Sequence, residues 1–171
     1  MAFNILYSIK NTFYYNFLPS KEFEDISIKS GRARVGREMV EIRDIFPPPV
    51  VSDSNPWRIN KTLNHYEIES GKLIIPCNDM FEHVLRYWSI DSANYIAKEG
   101  QRVHVAIFDC TQDPKYPRKY KADEAYLLMV EKDDFVLACM ALIKDRNLKV
   151  YDEISLYWDL QRSCFMFKLL K

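Results

Sequence analysis

Apolar positions recur along the chain with strand and helix periods, and these periods mark out its elements. The clearest stretch closes the chain. Residues 147–153 form a polar turn that carries the adjacent acids Asp152 and Glu153, and Ile154, Ser155, Leu156, Tyr157 and Trp158 follow in partial alternation. A second polar break at 159–163 leads into Cys164, Phe165, Met166 and Phe167. Two extended runs across a short break predict a terminal hairpin of a sheet or barrel. Upstream, WRINKTL reads as a strand in which Trp57 and Ile59 alternate, with Leu63 after a shift. NHYEIESGK reads as a polar loop, and Leu73, Ile74 and Ile75 as a short strand stopped by Pro76. Asn78 or Asp79 stands ready to cap a helix, because a short side-chain oxygen satisfies orphan N–H groups. Phe81, Val84, Leu85 and Trp88 then share one helical face. Val103, Val105, Ile107 and Phe108 predict a strand, DCTQDPKYPRKYK a loop with a basic second half, and residues 125–130 another strand. Residues 135–144 read as helical or partly so, with Leu148 packing after them. Strands dominate and two short helices are inserted, the pattern of a small barrel or sandwich with helical additions.

The first 56 residues are of another character. An aromatic-rich start is followed by the basic, flexible KSGRARVGR (29–37) and by FPPPV (46–50). In the latter, each proline fixes φ and pushes its predecessor out of the helical region. The polar residues 52–56 follow as linker, which sets an expected boundary between an extension, 1–56, and a domain, 57–171.

Composition narrows the chemistry. A hydrophobic share of 48% supports a real core. Four glycines and the lack of any GxGxxG or GxxxxGK[ST] pattern argue against a phosphate-cradling loop. The 24 basic and 24 acidic residues cancel, and they cancel again from Trp57 onward, so nucleic-acid binding would need local focusing of charge. Cys77, Cys110, Cys139 and Cys164 are too widely spaced for a metal knuckle and read as reduced thiols in apolar positions. No run approaches the ~20 apolar residues of a membrane span, so a soluble, intracellular protein without membrane contact is expected. An enzyme is not expected. No spacing brings His65, His83 or His104 to a thiol with an orienting third group, and the neighbours Asp152 and Glu153 would point to opposite faces of a strand. No cofactor, metal or small-molecule substrate is called for.

Three blocks in order give the chain a resemblance. NKTLNHYEIESGKLIIP (60–76), VHVAIFDCTQDPKYPRKYKADEAYLL (103–128) and LKVYDEISLYWD (148–159) resemble the plant-specific B3 DNA-binding domain. In the last block the sequence is similar to a subgroup of uncharacterised B3 proteins. The resemblance implies a mainly β fold, a seven-stranded open β-barrel (the B3-type pseudobarrel) with two short helices. It also implies two loops that grip the major groove of double-stranded DNA, with base edges read by the loops and phosphates held by flanking cations. In the first loop the implied DNA-binding residues are Lys61, Asn64, Ser70 and Lys72; in the second they are Arg118, Lys119, Tyr120 and Lys121.

The sequence departs from the family pattern where charge matters most. Asp123 and Glu124 follow the second basic cluster, and carboxylates beside a phosphate path weaken binding most at low salt. Glu67 and Glu69 oppose phosphate unless they point away. Tyr151 replaces a glycine that serves a φ > 0 position, which implies an altered or strained turn. Two expectations follow: sequence-specific DNA binding in plant transcription regulation in the nucleus, alone or with a protein partner, or a B3-like barrel that has lost DNA and serves as a protein-interaction module.

Overall fold

The computed structural model describes residues 12–17, 21–31, 38–43, 55–121, 123–130 and 133–171. Strand β1 (Thr12–Phe17), helix α1 (Lys21–Lys29) and strand β2 (Glu38–Arg43) come first, with β1 and β2 paired antiparallel. Most of the basic segment, the proline run 46–50 and residues 51–54 of the linker lie outside the described residues. Then follow β3 (Ile59–Thr62), α2 (His65–Ser70), β4 (Lys72–Ile75), α3 (Cys77–His83), a 3-10 turn (Leu85–Tyr87) and α4 (Ile90–Ala97). The chain continues through β5 (Val103–His104), β6 (Ile107–Asp109), β7 (Arg118–Tyr120), β8 (Tyr126–Met129) and β9 (Phe135–Ala138). It ends with α5 (Met140–Asp145), β10 (Glu153–Asp159) and β11 (Cys164–Leu169), the predicted closing hairpin.

Two sheets carry the domain. One runs β3-β10-β11-β6-β7, antiparallel except where β11 meets β6; the other runs β4-β9-β8-β5 and is wholly antiparallel. Successive strand residues point to opposite faces, and one face of each sheet turns into a shared core. Ile59, Leu156, Phe165 and Phe167 enter it from the first sheet; Leu73, Leu127 and Leu137 enter from the second. Val84, Leu85, Ile96 and Leu142 close it from the helices, each fully buried. At about 25 cal/mol per Å² of apolar surface removed from water, this shared core is the main source of cohesion.

The mainly β architecture agrees with expectation, but the element count does not. The domain has nine strands rather than seven, and the sheets stay open, with β3 and β7 as edges of one and β4 and β5 as edges of the other. Against the six strands that the hydrophobic pattern marks out, three local changes each add one. The run from Val103 to Phe108 is two strands, because the chain crosses between sheets there: β5 pairs with β8 and β6 pairs with β11. The basic residues Arg118 to Tyr120, expected in a loop, pair with β6. Phe135 to Ala138, expected to be helical, are strand β9, and the helix starts only at Met140. Helices also exceed the expected two. Asn64 caps α2 within the supposed polar loop, and Ser89 caps α4 by accepting from the Ser92 N–H. Neither Asn78 nor Asp79 is the cap of α3, which begins after Pro76. The face of Phe81, Val84, Leu85 and Trp88 is inward as expected, although the α-helix gives way to a 3-10 turn at Val84.

Among the described residues, Asn94 clips the N-terminal strand pair to the domain. The Asn94 side chain on α4 accepts the Met39 N–H at 2.6 Å and donates to the Met39 carbonyl at 2.9 Å. Met39 itself is 1% exposed and belongs to the core.

Candidate nucleic-acid interface

Register in the second sheet brings the two predicted loops together. Lys72 at the start of β4 faces Ala138, Ala138 faces Tyr126 at the start of β8, and Tyr126 faces His104 of β5. Directly opposed residues share a face. The neighbouring row of Leu73, Leu137, Leu127 and Val103 packs into the core, so Lys72, Tyr126 and His104 stand on the outer face. The β3–β4 connection ends at Gly71 and the β7–β8 connection at Ala125, so both open at the same end of this sheet. Arg102 lies beside the row, its guanidinium carbon 4.8 Å from the Tyr126 ring centroid, and the His104 ring is 6.0 Å from Tyr126.

The first arm is built around a buried carboxylate. Asn64 and Glu67 form a capping box: the Asn64 side-chain oxygen accepts the Glu67 N–H at 3.0 Å, and Glu67 accepts the Asn64 N–H at 3.1 Å. Glu67 also accepts the Ile74 N–H at 2.7 Å and is ion-paired to Lys61, whose ammonium donates to the Ile74 carbonyl at 2.7 Å as well. Glu67 is fully buried, so it does not oppose a phosphate. The helix ends at Gly71, whose φ of +70° is left-handed; a Cβ there would lie 2.7 Å from the Met140 Cε.

The second arm is a tight turn. Glu124 accepts the Lys121 N–H on its carboxylate at 2.9 Å and returns its own N–H to the Lys121 carbonyl at 3.0 Å. Lys121 and Asp123 are exposed at its tip. The preceding hairpin, β6–β7, is gripped by the end of α5 through the Arg118–Asp145 and Arg146–Asp109 ion pairs.

The eight residues singled out from sequence therefore divide. Lys72 and Lys121 border the shared end of the sheet. Lys61 and Asn64 are engaged inside the first arm by Glu67. Ser70 closes α2 with its hydroxyl oxygen buried. Arg118 is tied to Asp145 and lies 5.3 Å from the Tyr120 ring centroid. Lys119 projects to the outer face of the other sheet, its Nζ 5.5 Å from the Phe108 ring centroid. Tyr120 is turned into the core at 3% exposure, and burial raises its phenol above the ordinary 10.0, so its ring is not offered to a base. Sequence reasoning did not single out Tyr126, which register places in the row of Lys72, or Arg102, which lies against the Tyr126 ring. It also missed Tyr66, which α2 leaves 53% exposed. Among the described residues no group of three or more His, Cys, Asp or Glu could hold a metal ion, and no helix is long and apolar enough to cross a membrane.

Comparison with curated proteins finds no match. Among solved structures, that of an Arabidopsis FUS3–DNA complex is similar at 14% identity, with a TM-score of 0.45 over 67% of this chain and 97% of that one. Residues 57–170 match the family described as B3 domain-containing protein At5g26805, C-terminal domain, and the chain belongs to this plant B3 domain family.

Proposed function

We propose that the domain binds double-stranded DNA in the major groove through its two arms, and that the protein acts in transcription regulation in a plant nucleus. Family membership supports DNA as the ligand. The observation that carries the site is the row Lys72–Ala138–Tyr126, because it brings both arms to one end of one sheet. Lys72 and Lys121 supply phosphate contacts there, Arg102 adds a cation against Tyr126 at the far edge of the row, and Tyr66 offers an apolar edge to a thymine methyl. The N-terminal strand pair, held at Asn94, is an accessory to this domain.

A mobility shift against a randomised DNA pool at two salt concentrations tests the reading. Retardation that weakens at the higher salt is expected, and Lys72→Glu with Lys121→Glu should abolish it without lowering Tm. No retardation by the wild-type chain at low salt sinks the proposal. The rival reading, a barrel that has left DNA for a protein partner, rests on the engagement of Lys61 and Arg118 by carboxylates and on Asp123 at the arm tip; it would then stand.

A further inference from the structure

The first sheet also has an outer face, and it is not bare. On β11, Phe165, Phe167 and Leu169 point inward, whereas Cys164, Met166 and Lys168 alternate outward. Cys164, Met166 and Cys110 form a second small apolar cluster, separate from the main core. Three aromatic side chains, Trp57, Phe108 and Tyr157, pack over it and are themselves only half-buried. Trp57 meets Tyr157 edge-on, with ring centroids 4.8 Å apart.

Cations stand on these rings. Lys119 Nζ and the Arg162 guanidinium carbon lie 5.5 and 5.9 Å from the Phe108 centroid, and Lys168 Nζ lies 5.8 Å from that of Trp57. Of the facing acids, Asp159 is partly engaged, 3.7 Å from Arg162 and accepting the Gln161 and Arg162 N–H groups at the hairpin tip. Glu153, two residues before Ser155 on β10, is a second outward acid and is exposed, near the Ser155–Lys168 pair; the Ser155 hydroxyl donates to Asn60 at 2.6 Å. Lys119, Arg162 and Lys168 against Asp159 and Glu153 leave a local positive excess of one, and the three cations rather than the acids stand on the rings, in a domain whose overall charge is balanced. The two sheets share their inner faces, so this surface turns away from the row of Lys72, and one duplex seated at the arms leaves it uncovered.

We propose that this face is a docking surface for an acidic peptide segment of a partner protein, one that alternates carboxylates with aliphatic or aromatic residues. Carboxylates pair with Lys119, Arg162 and Lys168, while apolar side chains cover the exposed parts of the rings, which a cation already in place has desolvated only in part. A phosphate backbone would use the cations but leave the aromatic area without a partner. The proposal is independent of whether the arms hold DNA.

The test uses the full chain and a fluorescein-labelled 15-residue peptide alternating Asp or Glu with Leu or Phe, read by anisotropy, with a Lys-for-acid peptide as control. Saturable binding of the acidic peptide alone is expected. The exposed pair Arg162→Glu with Lys168→Glu should weaken it at least tenfold, while Lys72→Glu leaves it unchanged. Absent binding, or equal binding by the double variant with its Tm intact, overturns the proposal. So does a double variant that loses DNA retardation as fully as Lys72→Glu, for the face would then belong to the nucleic-acid interface.

Discussion

At the scale of single residues, the most telling position is Tyr151, which stands where the family pattern has glycine. Its φ of +75° is left-handed and its ring is 78% exposed, so packing does little to offset the backbone. The position is held by its N–H on the Leu63 carbonyl at 2.9 Å, next to the Leu63 N–H on Asp152. A left-handed residue with a Cβ costs about 1–2 kcal/mol, and glycine returns about 0.4–1 kcal/mol of freedom to the unfolded chain. Tyr151→Gly should therefore stabilise the protein by about 0.5–1 kcal/mol, a rise in Tm of roughly 2–4 °C by calorimetry; a fall in Tm would show that the ring contributes packing after all. This strain was legible only through the family resemblance, which puts glycine, the residue suited to φ > 0, at this turn position. Cys139 gives a second test. Full burial pushes its thiol from 9.0 up to about 12. A raised folded-state value favours the neutral thiol, so its contribution is complete below pH 9 and is lost as pH climbs from 9 to about 12. Thermal melts should show little loss from pH 8 to 9 and then a decline to which Cys139 contributes up to about 1.4 kcal/mol per unit, beside the similarly raised Cys164, with a shallower decline in Cys139→Ala. Identical slopes would exclude this thiol as the source.

At the scale of elements, the first arm shows why some of the fold could be read and some could not. Strand alternation placed β3, β4 and β8 correctly, since each buries one face, and runs of strand-forming residues between polar breaks placed β10 and β11. The loop NHYEIESGK was read as polar and irregular, yet Asn64-x-x-Glu67 is a capping-box spacing and does predict a helix start. That signal lost to the density of polar residues around it. What no spacing could supply is that Glu67 is buried and neutralised by Lys61, a contact between β3 and α2 that exists only once the sheet has formed. Strand β9 failed for a related reason: Phe135 to Ala138 are buried on both faces and so lack alternation. The buried pair makes a sharp prediction. Lys61→Met or Glu67→Leu alone leaves an unpartnered charge inside the arm and should cost about 3–5 kcal/mol. The double variant removes both charges and should recover part of that loss, giving a coupling of about 1–3 kcal/mol in a denaturant-unfolding cycle. Additive losses would mean that Glu67 acts through the Asn64 and Ile74 N–H groups alone.

At the scale of the whole molecule, the balanced charge makes binding a matter of a few positions. Basic and acidic residues cancel over the chain, and much of the cation set is locally engaged, with Lys61, Arg86, Arg118 and Arg146 paired to carboxylates. The local excess then resides at the arm row and on the outer face of β11, and a single exposed acid near the row weighs heavily. Asp123 and Glu124 differ in this respect although they are neighbours. Glu124 closes the turn by accepting the Lys121 N–H, so removing it would disturb the arm itself. Asp123 is exposed at the tip, and removing its charge alters the field and little else. Asp123→Asn should therefore tighten DNA binding about two- to fivefold at low salt, the size of an exposed charge interaction. The gain should shrink as ionic strength rises and the Debye length falls to roughly 8 Å near 0.15 M. Titrations of both proteins at several salt concentrations decide it. Converging curves with the variant always the tighter support a phosphate path beside Asp123, whereas parallel or identical curves place the duplex elsewhere on the domain.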